Sequence, residues 1–261
     1  MRDFYLAPRH VTQGSIINCC ISSNYANSSV DGIIITPRCD LAHEGKVYYV
    51  HYLPIVDFKE WFLYDGKKYL YSRWYLKRKE KFFDLCKRYS LPNCLNKKDL
   101  YEQMALKVVP QNNYHQFLDV LNNYFSASYG CAEFIQYLTG KEAKKQIVKN
   151  LLQDNLPAFY LLDNWEKNKS SYKVILLREL RRISFSTIMR IDGGIECKSI
   201  NKQEDELEVE GDLCFVQTQV ASPFMEHIMQ RFSYNFCRIG VDDRNFTSAE
   251  ADLGQLIDEV L

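Results

Sequence analysis

Between Gly14 and Val56, apolar residues gather in short runs separated by polar turn material. Ser15–Ser22 is rich in strand formers and gives way to the turn composition of Ser22–Asp31, SSNYANSSVD. Gly32–Thr36 (GIIIT) is a continuous apolar run of strand length, the pattern of a strand buried on both faces. A turn at His43-Glu44-Gly45-Lys46 leads into Val47–Val56 (VYYVHYLPIV), a second strand rich in Val and Tyr. Asp65-Gly66 signals another turn, dividing Trp61–Tyr64 from Lys67–Tyr75.

The period then changes from two to about three and a half. Phe82–Tyr89, Lys97–Val108 (with Asn96 as cap and Pro110 as stop), Tyr114–Phe125, Cys131–Leu138 and Ala143–Gln153 carry apolar residues at helical spacing. Strand patterns resume at Phe159–Leu162 and Tyr172–Leu177, joined by the polar stretch Asp163–Ser171. Ser184–Ile191 reads as a further strand before a Gly193-Gly194 turn, and Leu207–Ala221 as a hairpin or long strand. A final helix starts at Ser222-Pro223, presents Phe224, Ile228, Phe232 and Phe236 on one face, and stops at Gly240. Strands at both ends bracketing a helical centre predict an α+β protein: a β domain from 1–75 and 156–261, with a helical insertion over 76–155.

Composition narrows the class. With 261 residues, 46% hydrophobic and 25% charged, the chain can bury a core without disulfides or metal. No apolar run approaches the roughly 20 residues that span a bilayer, and the N-terminus lacks the apolar core of a signal peptide. The nine cysteines are odd in number, irregularly spaced and without a C-x-x-C pair, which predicts reduced thiols in a cytoplasmic protein rather than a disulfide framework or a zinc knuckle. Walker, G-x-G-x-x-G, H-E-x-x-H, G-x-S-x-G and zinc-deaminase motifs are absent. No cofactor is expected.

Net charge is zero, but its distribution is uneven. Lys67–Arg88 holds nine basic and two acidic residues, a local charge of +7, interleaved with Tyr69, Tyr71, Trp74, Tyr75, Phe82 and Phe83. Cations among aromatics suit phosphate contact with base stacking. A solvated face whose rings point inward gives the same composition, as does a segment that docks on the chain's own acidic stretches, Glu204–Asp212 or Asp242–Glu259.

Arg38-Cys39-Asp40, beside His43 and Glu44, offers a thiol near Arg and His that could act as a nucleophile, or a mixed metal site from Cys39, Asp40, His43 and His51. The structural alternative is a strand exit with Asp40 as turn-former. Arg178, Arg181, Arg182 and Arg190, with Ser184, Ser186 and Thr187, form a looser phosphate-binding candidate or an ordinary surface. His227, Arg231 and Arg238 lie on the last helix, whose aromatic side is expected to pack.

Several segments resemble a known family. Val11-Thr12-Gln13-Gly14-Ser15-Ile16-Ile17 resembles the "Q-G-D-I-V" opening of the MazF/PemK-like toxins, and Gly32–Arg38 and Val47–Val56 with Leu53-Pro54-Ile55 resemble their next two strands. Val174–Ile183 is similar to their late "V-I-L-x-D-Q-I-R-x-I" strand. The matches span about a quarter of the chain. The resemblance implies an SH3-like β-barrel formed by the N- and C-terminal strands. In those ribonucleases a basic residue precedes the second strand and a Thr or Ser follows Pro-Ile; here Arg38 follows its strand and Val56 follows Ile55. The T-P-x-C-D step (Thr36–Asp40) and the ending Ser222-Pro223, Arg231-Phe232, Arg238-Ile239-Gly240 look like uncharacterised bacterial proteins of phage-defence and other conflict systems.

The expectation is therefore a non-catalytic or weakly catalytic conflict-system protein that binds RNA, DNA or a partner protein, with no membrane contact. Arg38, Lys67, Lys68, Arg73, Trp74, Lys77, Arg78 and Lys79 are the candidate nucleic-acid contacts. Alternatives are a ribonuclease using Arg38 with Asp40 or His43, a thiol or metal site at Cys39, and an adaptor.

Overall fold

The computed structural model describes residues 5–6, 10–43, 45–162, 172–208 and 210–236. The protein is α+β, built on a curled antiparallel half-barrel sheet. Its strands are β1 (Tyr5–Leu6), β2 (Ser15–Cys20), β3 (Val30–Ile34), β4 (Tyr49–Asp57), β5 (Phe159–Leu162), β6 (Lys173–Leu176), β7 (Arg181–Ser184) and β10 (Val216–Val220). Their order is β1-β10-β2-β3-β4-β6-β5, with β7 paired to β4 beside β6. A separate two-stranded ribbon joins β8 (Ile195–Glu196) to β9 (Leu213–Cys214).

Strand β4 changes partner midway: Tyr49–Tyr52 pair with β7, and Ile55–Asp57 with β6. Pro54 sits at that break. The Ile35 N–H donates to the His51 carbonyl, so odd-numbered β4 residues aim their backbone at β3 and even-numbered ones at the far edge. The donor that Pro54 lacks would therefore point into the gap between β6 and β7, where no ladder bond is lost.

Both sheet faces are buried, which explains the continuous run GIIIT. Alternation sends Ile16, Ile33, Ile35, Leu53, Ile55, Ile175 and Leu177 to one face, where Met225 and Ile228 of α9 (Phe224–Phe236) cover them. Ile17, Ile34, Val50, Tyr52, Val56, Val174 and Leu176 go to the other. That face packs under Trp61, Leu70, Trp74, Phe134, Ile147 and Leu151 from the helical middle, and under Ile188 and Ile191 of α8 (Phe185–Ile191).

Helix begins earlier than its periodicity suggests. The expected strands Trp61–Tyr64 and Lys67–Tyr75 belong to one rod: α2 (Phe58–Trp61), a π-helical turn (Phe62–Gly66) and α3 (Lys67–Arg88). Asp57 caps its start by accepting the Lys59 N–H at 2.7 Å. Gly66 is helical, and its missing Cβ admits Phe62 and Ile147, which a side chain there would meet at 3.0 and 3.3 Å. Asp65 makes no turn because its carboxylate accepts the Tyr25 hydroxyl at 2.7 Å. The insertion therefore starts at Phe58 rather than 76, and its first helices are the cover of the sheet.

Downstream lie α4 (Lys98–Val108), α5 (Gln111–Phe125), α6 (Ala132–Thr139) and α7 (Lys141–Leu152). The C-terminal half of α3 joins α4 and α5 around Phe82, Cys86, Tyr101, Ala105, Phe117 and Leu121, a cluster distinct from the two at the sheet. Lys97, rather than Asn96, is the residue preceding α4.

Ser184–Ile191 is a second correction. Ser184 ends β7 and its Oγ accepts the Thr187 N–H, starting α8. Buried Asp205 reinforces that start by accepting the Ser184 N–H and the Thr187 hydroxyl, each at 2.7 Å. The Ser184 cap, anchored by a carboxylate 21 residues away, overrides the strand propensity of Phe, Thr and Ile. The linker over 163–171 and the stop at Gly240 lie outside the described residues. Among the described residues no helix is long and apolar enough to cross a membrane.

Candidate functional site

Helix α3 buries Leu70, Trp74, Phe82 and Cys86 at multiples of four residues, so its opposite side is obliged to face solvent. Arg73, Lys77 and Lys81 lie at i, i+4 and i+8 in a row beside the buried ridge, Lys87 and Arg88 stand in the last turn, and Glu80 and Asp84 are interspersed among them; all seven are exposed. Each four-residue step advances about 6 Å, so the first three cations span about 12 Å. Among the described residues none of the five cations has a carboxylate within ion-pair distance.

The aromatics of α3 do not share that side. Trp74 is 6% exposed, packs on Phe134, and carries the Arg78 guanidinium over its ring at 3.8 Å. Phe82 stacks on Tyr124 with centroids 4.7 Å apart. Lys68 covers the Tyr64 ring at 3.4 Å, and Lys79 lies 5.3 Å from the Phe83 centroid. Trp74 therefore offers no open ring for a base, and Arg78, with its Nε buried, is half-withdrawn. Lys67 is half-buried, while Lys68, Arg73 and Lys77 remain exposed. Lys81 joins the row once the segment is read as helix, and Lys87 and Arg88 add exposed cations in its last turn. The i, i+4 spacing in the sequence was the available signal.

Arg38, Cys39 and Asp40 form a single helical turn, α1 (Arg38–Leu41), rather than an open loop. Arg38 and Cys39 are exposed. The Asp40 carboxylate meets Lys46 Nζ at 2.5 Å, and that hydrogen bond holds its carboxyl below the usual range. Cys39 Sγ donates to Asp40 Oδ1 at 3.5 Å. His43 is exposed, and His51, half-buried on β4, uses its backbone N–H on the Thr36 hydroxyl. Among the described residues no three His, Cys, Asp or Glu side chains are placed to hold a metal, so Cys39, Asp40, His43 and His51 do not assemble into one.

The Arg38 turn lies toward α9. Glu226 on that helix is held low by a backbone hydrogen bond and the Ser222 hydroxyl, with the Arg38 charge adding to them. Leu41 of the Arg38 turn packs in the cluster that holds Leu70 and Trp74 of α3.

Among the described residues the remaining arginines are spent internally, and Arg238 lies outside those residues. Arg181 pairs with Glu179 at 2.6 Å and Glu206 at 3.0 Å. Arg182 stacks on Tyr49 at 4.5 Å, Arg178 donates to Asn235, and Arg190 to the Ser199 hydroxyl. Arg231 donates to the carbonyls of Asp154, Leu156 and Phe159, tying α9 to the segment before β5. The acidic stretch Glu204–Asp212 uses Asp205 to cap α8 and Glu206 to hold Arg181, rather than meeting α3; Asp242–Glu259 lies outside the described residues.

A cleft of about 280 Å³ opens beside β2, lined by Cys19, Ser22, Tyr25, Ser28, Glu208 and Gly211 among others. No family model, curated protein or solved structure matches the chain.

Proposed function

We propose that this protein is a non-catalytic, phosphate-contacting component of a bacterial conflict system, cytoplasmic, with a sheet of the SH3-like class and nucleic acid as its ligand. The observation that carries the reading is the set of exposed cations Arg73, Lys77, Lys81, Lys87 and Arg88 on α3, which outnumber the exposed Glu80 and Asp84 of the same helix and make no ion pair among the described residues. Such a set contacts a backbone without reading bases, and the inward rings of α3 supply no stacking platform. Binding is therefore electrostatic and tolerant of sequence.

Fluorescence anisotropy with labelled single-stranded RNA, single-stranded DNA and duplex DNA tests it. Affinity should fall steeply with salt, and changing Arg73, Lys77 and Lys81 together to Gln should reduce the log–log salt slope by about 2–3, one phosphate contact per cation. Salt-independent binding, or a triple variant that binds like the parent, would refute the reading.

A partner protein is the second reading, favoured by a different face. Leu100, Met104 and Val108 of α4 are exposed at i, i+4 and i+8, while Tyr101 and Ala105 are buried beneath them. An apolar partner would be lost on Met104→Glu, and nucleic-acid affinity would not change.

A further inference from the structure

Three thiols meet where β2 passes the β8–β9 ribbon. Cys19 Sγ stands 3.1 Å from Cys197 Sγ, and Cys214 is hydrogen-bonded to Cys19 as well. The three come from distant parts of the chain, Cys19 and Cys197 being 178 residues apart. Cys197 and Cys214 are fully buried, whereas Cys19 is partly exposed and lines the 280 Å³ cleft.

The approach is built into the backbone. The β2–β3 register shifts between Ile17 and Cys20, and Cys19 takes φ +59°, a left-handed conformation uncommon outside glycine. This bulge turns Cys19 out of the ladder toward the ribbon. Asn18 holds the ribbon in place, with its amide donating to the Leu213 carbonyl and accepting the Phe215 N–H, both at 2.7 Å. Gly211 closes the other side: a Cβ there would stand 3.4 Å from Cys197 Sγ and 3.7 Å from Cys19 Sγ.

We infer that Cys19 and Cys197 are a dithiol that closes to an intramolecular disulfide by exchange with a low-molecular-weight disulfide of the glutathione class. The Cys19 thiolate, reached through the cleft, attacks one sulfur of RS–SR; a protein–S–SR bond forms, and RS⁻ leaves and takes up a proton. The Cys197 thiolate then attacks Cys19 Sγ, forming Cys19–S–S–Cys197 and expelling the second RS⁻, which is also protonated. Two protein thiols lose two electrons and two protons, and one RS–SR becomes two RSH. The sulfurs need only close from 3.1 Å to about 2.05 Å. The bond would staple the β8–β9 ribbon to the sheet. Cys197 is taken as the partner because its Sγ stands 3.1 Å from Cys19 Sγ; Cys19 Sγ also donates to the Leu213 carbonyl at 3.2 Å, and Cys214 Sγ to the Asn18 carbonyl at 3.5 Å.

Burial, reinforced by the neighbouring Cys19, pushes the Cys197 thiol up to about 12. A hydrogen bond that the Cys19 thiol makes to Cys214, together with burial, raises Cys19 too. The thiolate is the attacking species, so closure should be slow at neutral pH and speed up about tenfold per pH unit with no plateau below pH 9.

The test treats the full chain with graded ratios of oxidised to reduced glutathione, quenches with acid, and maps non-reduced peptides by mass spectrometry. The expected product is a peptide joining Cys19 to Cys197, formed equally in Cys214→Ser. In Cys197→Ser the reaction should stop at a glutathione adduct on Cys19. Exposed Cys39 and Cys94 should take adducts without cross-linking. A Cys19–Cys214 linkage as main product would overturn the pairing. So would Cys19 and Cys197 both remaining open to alkylation at ratios that modify Cys39. The parent chain and Cys214→Ser both retain the two proposed partners, so the pairing is decided on them even if a Cys19 or Cys197 variant misfolds.

Discussion

The basic residues of this protein fall into two populations that a sequence displays alike and the fold separates. Arg181 and Arg231 each show only 16% of the side chain to solvent and are held by carboxylates or backbone carbonyls. Arg73, Lys77, Lys81, Lys87 and Arg88 stand exposed on α3 and make no ion pair among the described residues, with Glu80 and Asp84 spaced among them. Cation density alone predicts neither role. A cation is committed to the fold when the chain brings back an acceptor to meet it, and is left for a ligand when it does not.

That contrast should appear first in stability. Arg181→Ala strands Glu179 and Glu206 beside a half-dry surface, and a loss of about 2–3 kcal/mol in urea unfolding is expected, below the fully buried case because solvent reaches Glu206. Arg231→Ala leaves three carbonyls between Asp154 and Phe159 without their donor and should cost about 1–2 kcal/mol. Neither change should lower nucleic-acid affinity of the folded protein; a loss of binding without unfolding would erase the distinction.

The acid limb of the stability curve gives a smaller effect. Burial raises the Glu179 carboxyl, but the Ser22 hydroxyl, the Ser23 N–H and Arg181 outweigh it and hold it low. A carboxyl lower in the folded than the unfolded chain contributes fully above the unfolded value of about 4.3, and loses that contribution as pH falls through the folded one. Stability should therefore drop below about pH 4, and Glu179→Gln should flatten that limb while lowering the neutral plateau. Smallest is the Arg73, Lys77 and Lys81 triple Gln variant, expected within about 0.5 kcal/mol of the parent because nothing buried is disturbed. Its effect belongs to binding, so a large stability change would show that the row serves the fold.

Legibility followed the range of the interactions involved. Gly32–Thr36 could be recognised as a buried strand because burial on two faces needs only a continuous apolar run. The last helix was equally readable from its stripe. Lys67–Tyr75 misled because aromatic residues at alternate positions imitate a strand, while Leu70 and Trp74, four apart, are the pair that packs. Ser184–Ile191 misled because its Phe, Thr and Ile content outweighed the Ser184 cap in the reading, and the Asp205 carboxylate that anchors Ser184 and Thr187 lies beyond any local window. Arg38–Asp40 read as a strand exit with Asp40 as turn-former, and the structure makes it the one-turn helix α1, with Asp40 paired to Lys46.

By itself the sequence determined the α+β class, the strand-rich ends around a helical centre, and the basic character of the segment that became α3, because periodicity and composition are local properties. Only the tertiary structure decided which cations of that segment face solvent and that Trp74 and Phe82 are buried. It alone brought Cys19, Cys197 and Cys214 to one point. Those outcomes depend on which distant acceptors, rings and thiols the folded chain returns to the same place, and no spacing along the chain encodes that distance.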